Sequence, residues 1–342
     1  MSAFRFNIAT DYSNYYNRAF YRTELGLSFS EPIEMLFFYI ASKSGMPRLF
    51  FMLNAAVVTI CGYILYYQYR SQKYHELMLI AFYFIVLVAN LITRYGTATA
   101  VCCTGVYFLI NYRSKKVNTL YYFLIAALAF FFHTGAIITL AFPMLLYIYD
   151  LIKSEKGILK YSYTLMMASI GILLPLSVIV GDYLVGNVAL FDKYTLYFKY
   201  FKECVPSNVF LFALMVAVLT GIGYLFDKIS ETYGSNKYMK VFSIGTLMFL
   251  FFIVISLFQN RYIIDVMRIG VIFGFQGIIL FVFIFLSNAT KNGKVRFSII
   301  LSIFIFIVLF YAILGLSNAF PYNSDTIVPW KSGATYRERI PD

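Results

Sequence analysis

The chain reads as an all-α, polytopic integral membrane bundle of about ten transmembrane passes. Three observations predict this. Of the 342 residues, 61% are hydrophobic and only 13% charged, which leaves too little polar surface to coat a water-exposed globule. Mean hydropathy is +0.75. The apolar residues also run in uninterrupted blocks instead of alternating, against the pattern of an outer-membrane barrel. A soluble enzyme, a disordered chain and a disulfide scaffold are excluded on the same grounds.

The elements follow in order. Residues 1–48 form an outer-face segment. Within it Ser30–Ser42 predicts a short helix, with Ser30 as N-cap, Pro32 in the first turn and Glu31 and Glu34 at the positive end. At about 12 residues it is too short to span, and it lies at the interface or dips in. Charge-free blocks then run over Leu49–Tyr69, Leu77–Thr93, Tyr95–Tyr112, Val117–Tyr149, Tyr161–Gly181, Cys204–Phe226, Val241–Asn260, Ile269–Thr290 and Phe297–Leu316. Together they make a bundle over 49–316 with an outer loop at 182–206 and an outer tail at 317–342.

Val117–Tyr149 is too long for one pass and holds His133, Thr134 and Gly135 at its middle. Two short helices meeting near His133 are expected. The charges test that split. With it, Arg70/Lys73, Arg113/Lys115/Lys116, Lys153/Lys156/Lys160, Lys228/Lys237/Lys240 and Lys291/Lys294/Arg296 share one side, which the positive-inside bias makes cytoplasmic. Without it, the last three groups move opposite the first two. The same bias accounts for the net charge of +12, so no nucleic-acid partner is expected. An outer N-terminal segment with no signal peptide is awkward to translocate, and upstream membrane helices are expected to be missing from this chain.

Intramembrane and interfacial ionisable groups are the default functional candidates. Cys61, Cys102 and Cys103 lie inside apolar blocks and Cys204 stands alone. With two histidines far apart, no disulfide and no metal centre is expected. Four features fall on the outer face. Arg5, Asp11 and Tyr12 place a cation, a carboxylate and a phenol near the membrane, suited to phosphate and sugar hydroxyls or simply to a solvated terminus. Arg94 sits alone in a tight connection, as a snorkelling anchor or as a cation held at the surface. His133 lies at the helix break, as a structural histidine or as a base or donor lining an outward cavity. Arg261, Tyr262, Asp265 and Arg268 lie on a short outer segment, where the charges could pair along one helix face or clamp a diphosphate. Their shared side suits an anionic lipid-linked substrate, whose diphosphate must be neutralised at the interface while its tail stays in hydrocarbon.

Several stretches carry a family resemblance: RFNIATDYSNYY at Arg5–Tyr16, EPIEMLF at Glu31–Phe37, ANLITRYGTA at Ala89–Ala98, FFFHTGAIITL at Phe130–Leu140 and NRYIIDVMR at Asn260–Arg268. With the late IVPWK at Ile327–Lys331, the chain resembles the EpsG-like group of Wzy-type polysaccharide polymerases. It departs where Ala9-Thr10-Asp11-Tyr12 replaces Gly-x-Asp-Tyr and where Gly135 replaces a frequent serine.

The resemblance implies a metal-independent glycosyltransferase of GT-C-like membrane fold, needing no cofactor. It would join undecaprenyl-diphosphate-linked oligosaccharide repeat units, of O-antigen or exopolysaccharide, at the outer face of the bacterial inner membrane. Membrane lipid, a chain-length regulator and a flippase are the implied partners. On this reading His133, Asp11, Arg94 and Arg261 are catalytic, His133 being the first choice of base. Arg5, Tyr12, Arg268 and Tyr262 bind substrate. The alternatives are a membrane O-acetyltransferase of surface polysaccharide and a lipid-linked oligosaccharide flippase.

Overall fold

The computed structural model describes residues 31–72, 75–89, 93–111, 116–154, 161–187, 205–206, 208–234, 236–257 and 263–289. All regular structure among them is helical: α1 (Pro32–Lys43), α2 (Arg48–Tyr69), α3 (His75–Ala89), α4 (Thr93–Ile110), α5 (Lys116–Phe132), a 3₁₀ segment (Thr134–Leu140), α6 (Ala141–Ser154), α7 (Ser162–Asn187), α8 (Val209–Tyr233), α9 (Lys237–Leu257) and α10 (Ile263–Ala289). Among the described residues, five stretches are long and apolar enough to cross a bilayer: Arg48–Tyr69, Thr134–Lys153, Ser162–Gly181, Val209–Tyr233 and Lys237–Leu257. Lys116–Phe132 and Ile269–Ile284 are shorter apolar helices. The expected span at Phe297–Leu316 and the tail lie outside the described residues.

The short helix expected at Ser30–Ser42 is α1. It begins one residue later, with Glu31 in the capping position and Pro32 at its start, where the missing proline N–H costs nothing. Ser30 lies outside the described residues. Glu31 makes no capping bond to its own helix; its carboxylate is used elsewhere. Gly45, at φ +69°, ends α1 by letting Met46 N–H reach back to Ala41 O at 3.2 Å.

Val117–Tyr149 breaks at His133. The His133 backbone is extended (φ −154°, ψ 126°) between α5 and the 3₁₀ segment. The chain then folds back on itself, because the Tyr122 hydroxyl donates to Thr139 O at 2.7 Å. In an unbroken helix these residues would stand about 25 Å apart.

Contacts among helix ends define one pole of the bundle. Gln72 after α2 donates to the Tyr238 hydroxyl in α9, Lys237 pairs with Asn111 after α4, and Lys240 bridges to Asp150 of α6 at 3.0 Å. Tyr149 of α6 packs its ring on Tyr163 of α7. Asp227 of α8 accepts from Tyr163 N and Thr164 N at 3.0 and 2.9 Å, and from Thr164 Oγ1 at 2.6 Å. That buried carboxylate therefore caps α7 from another helix, satisfying N–H groups that no intrahelical carbonyl reaches. The sequence block ended at Phe226, but α8 runs on to Tyr233. Asp227 is held by α7, and Lys228 and Glu231 pair at 3.0 Å, so charge there does not end the helix.

Two helices are enclosed. Every residue of α9 from Val241 to Ser256 is buried. In α4 the run Tyr95–Val106 is buried throughout, and at Gly105 the missing side chain leaves room for Tyr122 and Ile125 of α5, whose side chains come within 3.2 Å of where a Cβ would stand. The opposite pole, where α4 begins and α5 ends, holds α1 and the His133 corner.

Candidate functional site

Arg94 occupies the first turn of α4; the connection before it, at 90–92, lies outside the described residues. A cation there opposes the positive end of the helix dipole, a cost of about 0.3–1 kcal/mol. The offset comes from α1. Arg94 Nη1 donates to Glu31 Oε2, and the two side chains keep 21% and 7% of their exposure. The other carboxylate oxygen, Glu31 Oε1, accepts from Thr134 N at 3.1 Å. One buried carboxylate thus ties the start of α4 to the start of the 3₁₀ segment, two places where backbone N–H groups lack helical partners.

His133 caps that segment. Its Nδ1 accepts from Gly135 N at 3.0 Å, the service that serine or aspartate usually gives at an N-cap. An accepting Nδ1 carries no proton, so the neutral ring holds its proton on Nε2. The imidazole stands edge-on to the Tyr95 ring, with centroids 5.2 Å apart at 87°. Arg94 and Tyr95 are consecutive, so the guanidinium and the imidazole belong to one neighbourhood, with Glu31 spanning both sides.

Beneath this corner lies a buried polar chain. Glu34 has no exposed surface, and its Oε2 accepts from Asn54 Nδ2 at 3.2 Å. Asn54 gives its second N–H to Phe50 O at 3.1 Å and accepts at Oδ1 from Thr97 Oγ1 at 2.5 Å. The amide is fully used. Burial pushes the Glu34 carboxyl up to about 8, and the like charge of Glu31 adds to this. The Asn54 hydrogen bond and the Arg94 charge pull the other way. Burial thus favours the neutral acid form of Glu34, while the salt bridge to Arg94 is made by Glu31.

A carboxyl that binds its proton more tightly folded than unfolded adds stability at low pH. That stability is lost as pH rises from its ordinary value near 4.5 through about 8. Glu34→Gln keeps the shape and has nothing to titrate. Its melting temperature in detergent should change less between pH 5 and pH 8.5 than that of the wild type, by the equivalent of a few kcal/mol. Equal slopes for the two proteins would mean that Glu34 titrates normally.

The remaining sequence candidates are placed less fully. Arg5, Asp11, Tyr12, Arg261 and Tyr262 lie outside the described residues. The backbone of Arg268 is in the opening turns of α10, and its side chain is not among those described. Phe273, about 7.5 Å further along that helix, stacks on Phe142 just past the 3₁₀ segment at 5.8 Å. The start of α10 is therefore at the His133 pole. Glu31 is the residue of this corner that sequence reasoning missed. It was read as a dipole-favouring acid of its own helix, and nothing local signals a reach of 63 residues to Arg94 and 103 to Thr134.

No curated protein and no solved structure shows significant similarity to the chain. The sequence profile of the EpsG family, by contrast, matches residues 1–331 and so spans both the bundle and every residue of this corner. The chain belongs to the EpsG family.

Proposed function

We propose that the chain polymerises lipid-linked oligosaccharide repeat units, growing an O-antigen or exopolysaccharide chain on undecaprenyl diphosphate at the outer face of the bacterial inner (plasma) membrane. Its family supports a polysaccharide polymerase-type membrane protein. The observation that carries the finer reading is the joining of Arg94 and the His133 corner through one carboxylate, at one pole of an apolar bundle.

In the reaction, the bond between the anomeric carbon of the growing chain and its diphosphate oxygen breaks. A hydroxyl oxygen of the incoming unit bonds to that carbon, its proton passes to a base, and the diphosphate departs with the electron pair. Charge gathers on the leaving group, so fixed cations and donors at its oxygens lower the barrier. Arg94 and Arg261 take that role, with Arg5 or Arg268 assisting, and the ion pairing needs no metal or cofactor. Substrate binding falls to Tyr12 and Tyr262, with Tyr12 suited to packing on a sugar ring.

The cap geometry shifts the part given to His133. To act as a base through Nε2, the ring would need its proton on Nδ1, facing the Gly135 N–H 3.0 Å away. With the proton on Nε2 it is a donor to the departing oxygen or to a sugar hydroxyl. The base is then Asp11, the other sequence candidate.

The test is the surface sugar pattern of cells carrying His133→Ala or Asp11→Asn. Loss of polymerisation leaves single repeat units on the surface and reduces longer ladders by about 100-fold. Loss of a flippase would leave no units at all. Full-length ladders in both variants would remove these residues from the reaction.

A further inference from the structure

We infer that Glu31 is a positioning residue for the anion site, holding Arg94 and the 3₁₀ corner in one fixed relation. The inference rests on the polymerase reading and adds a residue which that reading does not use.

Glu31 is buried, with 7% of its side chain exposed, and its two oxygens go to different elements: Oε2 to Arg94 Nη1, Oε1 to Thr134 N. Its own backbone is fixed as well. Glu31 O accepts from Met35 N at 3.0 Å at the start of α1. That helix is packed down by the Phe37–Phe132 and Phe38–Phe50 ring contacts and by the buried Glu34 and Ala41. The carboxylate is thus presented from a braced element to two others. A guanidinium has five donors in a planar fork, so engaging one nitrogen fixes the plane in which the others point. The same carboxylate fixes the turn that carries His133, whose ring is held by Gly135 N and the perpendicular Tyr95 ring.

This makes a prediction opposite in sign to simple electrostatics. Removing a negative charge beside Arg94 should tighten anion binding if charge alone matters. If Glu31 positions the guanidinium, its removal should weaken binding. Glu31→Gln is the direct variant: its carbonyl can still accept from Thr134 N, while its amide N–H groups oppose the Arg94 donors. Thr134→Pro is the second. Proline is tolerated at the first helical position, and the extended His133 before it suits a following proline. That change removes the N–H on Glu31 Oε1, along with the Thr134 hydroxyl, and leaves both charges in place.

The experiment measures binding of inorganic pyrophosphate and farnesyl diphosphate to the purified full chain in detergent, with the melting temperature recorded for each variant. Glu31→Gln should weaken both ligands by about tenfold, and Thr134→Pro by a few-fold, without an equal loss in Glu231→Gln at the opposite pole. Arg94→Ala separates the two claims. If Arg94→Ala binds as the wild type does, the polymerase reading loses its anion site. If Arg94→Ala loses binding while Glu31→Gln binds equally or more tightly, the positioning role is overturned. Should Glu31→Gln fail to melt cooperatively, Thr134→Pro decides alone, and wild-type affinity in it overturns the inference.

Discussion

Arg94→Lys should abolish chain growth, by about 100-fold or more, while leaving the fold intact. The charge is conserved, so an interfacial anchor would survive this change; a fork would not. Arg94 gives Nη1 to Glu31, and a planar fork of five donors can hold more than one directed hydrogen bond at once. A lysine ammonium is a compact point charge on a flexible stem. It satisfies Glu31 or the diphosphate, and whichever it takes leaves the other with a misplaced or missing donor. Misplacement of about 1 Å at a reacting centre costs on the order of 100-fold. Because Glu31 keeps a cationic partner in the variant, the melting temperature in detergent should stay close to wild type. Long surface ladders in an Arg94→Lys strain would return Arg94 to the role of a membrane anchor.

The poles of this bundle were more legible in the sequence than the contacts between them. The break at His133 followed from length, since a block running from Val117 to Tyr149 cannot cross once, and the Tyr122–Thr139 bond shows the chain doubling back there. The short helix of α1 was legible from Pro32 and its flanking acids, although its start moved by one residue. These are local signals of hydropathy, charge and turn chemistry. Glu31 was missed because its partners lie far along the chain, and no periodicity encodes which helix ends meet. Asp227 failed for a related reason. It directly follows the apolar block that ends at Phe226, where a carboxylate is expected to be solvated, yet it is buried and bonded to α7. A carboxylate bonded by another helix's N-terminus has the same local sequence as one in water.

The enclosure of α4 and α9 was also hidden. Their apolar composition suits a lipid-facing helix as well as an interior one, so hydropathy cannot separate the two environments. What differs is side-chain size in α4, where small residues replace the large aliphatics of an outer helix. That distinction bears on the site, because α4 carries Arg94. A helix gripped along its whole length fixes its first turn, and the guanidinium begins from a rigid base before Glu31 orients it.

The largest stability loss should come at the other pole, from Gly223→Val. A Cβ at Gly223 would lie 2.6 Å from Tyr163 O, 2.7 Å from Thr164 Cα and 2.9 Å from Thr164 N. All three are backbone atoms, so no side-chain rotation relieves the clash, and α7 must move away from α8. Asp227 stands four residues on, on the same face of α8, and it caps those same two residues of α7 through three hydrogen bonds. Separation therefore adds overpacking strain to the loss of a charge-assisted cap, together roughly 3–6 kcal/mol. Asp227→Ala removes only the second part and should cost about half as much. Since both substitutions act on one junction, their combined effect should fall well short of the sum of the two, measured by thermal unfolding in detergent. Additive losses would show that the close approach at Gly223 and the cap at Asp227 are independent, so that the pairing of α7 with α8 rests on something else.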